Sequence, residues 1–236
     1  MTRTSIRHAA LLALLMLAGN MPRVATATEH EAGLWMILSG TDTLLADDKP
    51  TRWRYWYDVQ ARFYDPGSAT SQYILRPGIG YDLNDNVTAW AGYARMRARS
   101  SAGNFVDENR YWQQLTWTAA RWEHGTLTMR VRLEERSVSF SDDLGLVLRY
   151  AVKYTHPIGA SGRRSFVIAD EPFVALRDTD WAGRSGLRQN RLGIGIAWRL
   201  SPKTSLETSY MNIYSAAEDA PDRMRHLAVI NLKTKF

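Results

Sequence analysis

From residue 51 onwards, apolar and polar positions alternate with a period of two. That is the repeat of an extended strand, whose successive side chains point to opposite faces. Segments of this kind fall at 53–63, 72–82, 87–97, 110–122, 126–138, 144–155, 165–176, 189–199, 204–214 and 225–236. At about 10–14 residues each, they have the length of tilted membrane strands. In 53–63 one face holds Trp53, Tyr55, Tyr57, Val59, Ala61 and Phe63, and the other Arg54, Trp56, Asp58, Gln60 and Arg62. In 144–155, Leu146, Leu148, Tyr150, Val152 and Tyr154 stand opposite Arg149 and Lys153. In 189–199, Leu192, Ile194, Ile196 and Trp198 stand opposite Arg191, Gly193, Gly195 and Ala197. Apolar, aromatic-rich faces suit lipid, and polar or glycine-rich faces suit a narrow lumen. The pattern predicts an all-β chain folded as a single antiparallel transmembrane β-barrel of about ten strands, with twelve as the alternative.

The connections also alternate. Short turns at 83–86, 123–125 and 200–203 are interleaved with longer polar stretches at 98–109, 177–188 and 215–224. Short periplasmic turns and long external loops are usual for outer-membrane barrels. On that reading Tyr81, Trp122, Tyr154, Trp198 and Phe236 close the descending strands and form a membrane-interface girdle on the periplasmic side. Residues 28–50 fit less well. The stretch 33–45, led by Trp35, has strand character. Both termini of a single-chain bacterial barrel normally lie in the periplasm, which requires an even strand count. Residues 28–50 are therefore assigned to a pre-barrel segment and 51–236 to the barrel.

The first 27 residues change the picture of location. Arg3 and Arg7 precede an apolar run at 9–18 that is too short to span a bilayer as a helix, and Ala25-Thr26-Ala27 is a cleavage signature. A secretory signal peptide over 1–27 is expected. Its three arginines carry half of the formal net charge of +6, so basicity argues weakly for a nucleic-acid partner, and none is expected. The absence of cysteine excludes a disulfide framework and thiol catalysis. Mean hydropathy is −0.35, an average that hides a barrel because lipid-facing and lumen-facing residues alternate.

Candidate chemistry concentrates on the inner faces. Strand parity puts Arg62, Arg76, Arg130, Arg132, Glu134, Arg136, Arg149, Arg191 and Glu207 in the lumen; Glu171 is a further candidate, its parity ambiguous because Asp170-Glu171-Pro172 is expected to distort its strand. Buried charges of both signs on facing walls pair, because an unpaired buried charge is costly. A salt-bridged plug is the expected arrangement, with an arginine-lined anion-selective pore as the alternative. Catalytic groups are poorly supported. His226 could join a serine or carboxylate in a lipid hydrolase, but no G-x-S-x-G accompanies it. Acidic loop residues at 141–143 and 218–222 read as solvated, so neither metal nor cofactor is expected. Gly78, Gly80, Gly193 and Gly195 lie within strands and read as space for bulky lumen side chains, not as a dinucleotide fingerprint.

An ordered series of short motifs runs through nearly the whole chain beyond residue 27. It comprises Gln60-Ala61-Arg62-Phe63, Leu75-Arg76-Pro77-Gly78-Ile79-Gly80-Tyr81, Gly92-Tyr93, Trp112-Gln113-Gln114, Arg132-Leu133-Glu134-Glu135-Arg136, Asp170-Glu171-Pro172-Phe173, Gln189-Asn190-Arg191, Tyr210-Met211-Asn212-Ile213-Tyr214 and His226. In this order the set resembles the uncharacterised bacterial family known as domain of unknown function 2490. The resemblance implies an outer-membrane-like β-barrel, assigns no activity and supplies no catalytic residue. The expected partners are outer-membrane lipids and lipopolysaccharide, together with the barrel-assembly machinery through a final strand ending in Phe236. The chain is expected to be monomeric. A lipid-modifying hydrolase and a soluble periplasmic β-protein remain the alternatives.

Overall fold

In the computed structural model, residues 28–64, 71–99, 103–159, 161–218 and 220–235 are described. The expected signal peptide and Phe236 lie outside them. The strands are β1 (Glu29–Ala46), β2 (Lys49–Tyr64), β3 (Ser71–Leu75), β4 (Gly78–Asn84), β5 (Val87–Arg99), β6 (Phe105–Trp122), β7 (Gly125–Val138), β8 (Ser141–Ile158), β9 (Arg164–Ala175), β10 (Gly186–Arg199), β11 (Thr204–Ser215) and β12 (Arg223–Thr234). Sequence neighbours pair antiparallel, except that β3 and β4 do not pair with each other, and one parallel ladder between β1 and β12 closes the sheet on itself. β3 and β4 form one stave, interrupted at Arg76-Pro77, because both pair with β2 on one side and β5 on the other. The described residues therefore make a closed barrel of eleven staves.

This count corrects two expectations. The barrel wall has eleven staves where about ten were expected, and residues 28–50 are not a pre-barrel segment. β1 runs through most of them and lies between β12 and β2. It alternates like the others, with Trp35, Ile37 and Ser39 inward and Leu34, Met36 and Leu38 outward. The hairpin to β2 turns at Asp47 and Asp48, both with positive φ of 50° and 60°. A type I′ two-residue turn needs that conformation at both positions, and aspartate tolerates it. With an odd count the first and last staves run in the same direction, so Thr28 and Lys235 lie at opposite ends.

The barrel is apolar outside and polar inside. Met36, Leu38, Val59, Leu75, Ile79, Leu115, Ile194 and Ile230 are exposed on its outer face. Arg132, Glu134, Arg149, Arg76, Glu108 and Gln114 are buried within. A water-soluble domain has the reverse distribution. Near the turn end, Tyr81 packs edge-on against Trp53 at 4.9 Å and Trp122 against Tyr154 at 6.2 Å. Trp198, in register with Leu206, is on the same outer face.

Glycine shapes the inner wall beside two tryptophans. Gly78 and Gly92 are register partners, and a Cβ at either would come within 2.5 Å and 2.3 Å of the Trp112 ring. Gly80 makes the same allowance for Trp90. A Cβ on Gly193, by contrast, would meet nothing closer than 3.9 Å. Gly92→Val should therefore cost about 2–3 kcal/mol through overpacking. Gly193→Ala should stay within about 0.5 kcal/mol of wild type. Urea unfolding of the refolded protein in lipid vesicles measures both, and equal midpoints for the two variants would contradict the packing.

Candidate functional site

The inward side chains of β2 to β10 meet in the loop-side half of the lumen. At the centre is Glu134 on β7, fully buried. It accepts hydrogen bonds from Arg149 on β8 at 2.5 Å and from Arg136 at 2.6 Å. Arg132 approaches it at 3.4 Å and Arg110 at 3.6 Å. A second carboxylate, Glu171 on β9, pairs with Arg149 at 2.7 Å and with Arg130. Arg110 chelates Glu108 at 2.8 and 3.0 Å. Arg76 reaches Asp58 at 3.4 Å. Alternation in β7 puts Arg130, Arg132, Glu134 and Arg136 on one face, so a single strand supplies four members of the network.

Aromatic rings fill the space that charges cannot. Arg132 lies over Trp112 at 4.4 Å and donates to Gln114 at 2.8 Å. Trp56 stands edge-on to Trp90 at 5.5 Å and to Trp112 at 6.3 Å. Arg62 stacks on Trp35 at 3.7 Å and Arg191 on Phe173 at 4.3 Å, and both donate to glutamines, Gln60 and Gln189. Neither forms an ion pair with a described residue. The cluster therefore holds eight arginines (62, 76, 110, 130, 132, 136, 149 and 191) against four carboxylates (Asp58, Glu108, Glu134 and Glu171). Cation–π contacts of this kind are stronger where water is excluded.

Loop ties cover the same end. Trp181 donates to the Asp143 carbonyl at 2.9 Å, and its ring covers inward-facing Gly145. Asp143 accepts from the Asp180 N–H, and Glu218 pairs with Arg188 at 2.6 Å. Asp222 accepts from the Tyr214 hydroxyl at 2.6 Å and the Ala217 N–H, which hold its carboxyl below the usual range. These acids organise the loops.

The candidates named from sequence fall into two groups. Arg62, Arg76, Arg130, Arg132, Glu134, Arg136, Arg149, Glu171 and Arg191 belong to the cluster. Glu207 does not. It lies in the turn-side half, between Lys153 at 2.8 Å and Lys233 at 2.5 Å. Glu171 is inward and in register with Arg191; the motif around Pro172 opens a gap in the β8–β9 ladder without shifting its register. Asp58, Glu108, Arg110 and Gln114 are further members of the cluster, and Lys153 and Lys233 join Glu207 in the other half. Glu108 and Arg110 share the parity of Trp112, a signal open for Arg110 within the expected segment 110–122 and for Glu108 only once β6 is extended back to Phe105. His226 bonds to Tyr210 at 2.6 Å and His30 at 2.9 Å on the outer face, with no serine or carboxylate bonded to it among the described residues.

Residues 32–225 match the family model described as a protein of unknown function, DUF2490. The chain belongs to this family. An uncharacterized protein of Methylorubrum extorquens is 29% identical over 233 residues, covering 98% of this chain and 100% of that one. Among solved structures, NanC porin in a rhombohedral crystal form is similar at 13% identity, over 83% of this chain and 91% of that chain, with a TM-score of 0.47.

Proposed function

We propose that this DUF2490 protein is an integral outer-membrane β-barrel that is closed to free diffusion by its own arginine–carboxylate cluster. The inside-out distribution of side chains carries the reading: an exposed apolar belt around a buried charged interior. A closed sheet also leaves no unpaired edge, the condition for β-structure in hydrocarbon. The short-turn end, with Tyr81, Trp122, Tyr154 and Trp198, faces the periplasm in this reading, and the loop end faces outward.

The loop-side exterior supports that orientation. Arg95 and Arg97 point outward, in register with exposed Leu75 and Tyr73, and Arg99 continues the same face. Asp107 serves Arg95 at 2.8 Å and Arg97 at 3.7 Å, so two guanidinium groups share one carboxylate, while Arg99 donates to the Gly103 carbonyl and forms no ion pair with a described residue. Such a surplus beside exposed aromatics suits the phosphates of lipopolysaccharide, since arginine binds phosphate through paired N–H donors. The interior acts as a brace, with no catalytic step assigned to it.

Cell fractionation tests the location. The chain should sediment with the outer membrane and migrate differently on gels before and after boiling. Recovery in the soluble periplasm without a mobility shift would refute the proposal. In planar bilayers the refolded wild type should show no discrete openings, and steady unitary conductance would refute the closed lumen.

A further inference from the structure

The loop-side half of the lumen is full, but the turn-side half is not. A cavity of about 470 Å³ opens there, within the range of small-molecule sites. Ser39, Ser165 and Ser205 contribute hydroxyls to its wall, and Trp56 an aromatic face. Register places its charged groups: Arg199 faces Ser205, Ser205 faces Lys233 and Lys233 faces Ser39, all inward. Arg163, Lys203 and Lys235 complete the mouth, and no aspartate or glutamate among the described residues lines the cavity.

The charge is not neutralised from below. Glu207 is shared by Lys153 and Lys233, two ammonium groups on one carboxylate. Arg199 donates to the Gly162 carbonyl at 3.1 Å and forms no ion pair with a described residue. Deeper still lies the arginine-rich cluster. Low-dielectric walls focus such a field into the cleft and raise the local concentration of anions.

We propose that this vestibule binds a small soluble organic anion through a carboxylate or phosphate group. Arg199 and Lys233 contact the charge, the three serines bond the remaining polar atoms and Trp56 packs against the ligand's body. The inference depends on the folded barrel and not on its cellular address, so it can fail while the location stands, and the reverse.

Succinate and inorganic phosphate are the probes, with glucose as the neutral control. They are titrated against the refolded full chain in zwitterionic detergent by calorimetry at fixed ionic strength. At least one anion should saturate at millimolar concentration or below, and glucose should not bind. Arg199→Gln and Lys233→Gln should each weaken binding at least tenfold, whereas Arg95→Gln on the outer face should not. Lys233→Gln removes an ion pair, so Arg199→Gln, at the rim, keeps the test valid if the former fails to fold. Equal binding of glucose, absence of saturation with both anions, or unchanged affinity in Arg199→Gln would overturn the proposal. Loss of succinate binding when phosphatidylglycerol is added to phosphatidylethanolamine nanodiscs would assign the cations to lipid headgroups, and would overturn it too.

Discussion

A chain lacking residues 29–46 is expected to lose the boiling-dependent mobility shift, because no barrel of the remaining staves can close over the same interior. β1 forms twelve registered pairs with β12 and thirteen with β2. Its removal leaves two strand edges whose N–H and C=O groups have no partner in lipid, where each costs several kcal/mol. β12 and β2 run antiparallel to each other once β1 is gone, so direct pairing is topologically allowed. Packing forbids it. Taking one stave from eleven reduces the cross-section by roughly a sixth at constant strand spacing. The loop-side half of the lumen is already filled by Trp112, Arg132, Glu134 and their neighbours, with no slack to give up. Trp35, the partner of Arg62 and Arg191, would be lost as well. A deletion variant that kept the wild-type shift would mean that ten staves suffice and that β1 is an accessory.

The sequence made the wall of this barrel readable but not its circumference. Alternation alone orients Arg62, Arg132 and Glu134 inward, since period two leaves each residue only one of two faces. The number of staves is a global property that no local period contains. Here the rule of even counts favoured ten, and the signal against it was the weak Asp47-Asp48 turn, which lacks the usual glycine. The break at Arg76-Pro77 was hidden for a similar reason: β3 and β4 keep one parity across it, so they read as a single segment. Glu108 was obscured by an N-terminal boundary of β6 placed five residues late, whereas Arg110 stood at that boundary with the inward parity of Trp112. Pairings within the lumen were not legible at all. That Arg149 bridges Glu134 on β7 and Glu171 on β9 depends on register across three staves. That Glu207 falls in the other half depends on how far along its own strand it lies.

Glu134→Gln should destabilise the folded barrel by about 3–5 kcal/mol, the usual cost of removing one partner from a buried ion pair. The substitution is nearly isosteric, so the loss comes from charge and not from a cavity. Four arginines surround the site, at 2.5 to 3.6 Å from its oxygens. A neutral amide offers them one acceptor atom in place of two and turns an –NH₂ group towards other donors. Arg149, Arg110 and Arg136 keep Glu171 or Glu108 as a second partner, but Arg132 has no other carboxylate within 4 Å among the described residues, so its charge is left uncompensated. Arg132→Met in the same background should recover part of the loss, because it removes one of the stranded charges while keeping an apolar stem on Trp112. Urea unfolding in lipid vesicles reads both changes, and the coupling between the two variants isolates the pair. A shift below about 1 kcal/mol for Glu134→Gln would show that the arginines find other compensation. If that variant also conducted in planar bilayers, the cluster would be a gate held shut by Glu134. If it unfolded early without conducting, the same carboxylate would be the brace that keeps eleven staves around a charged core.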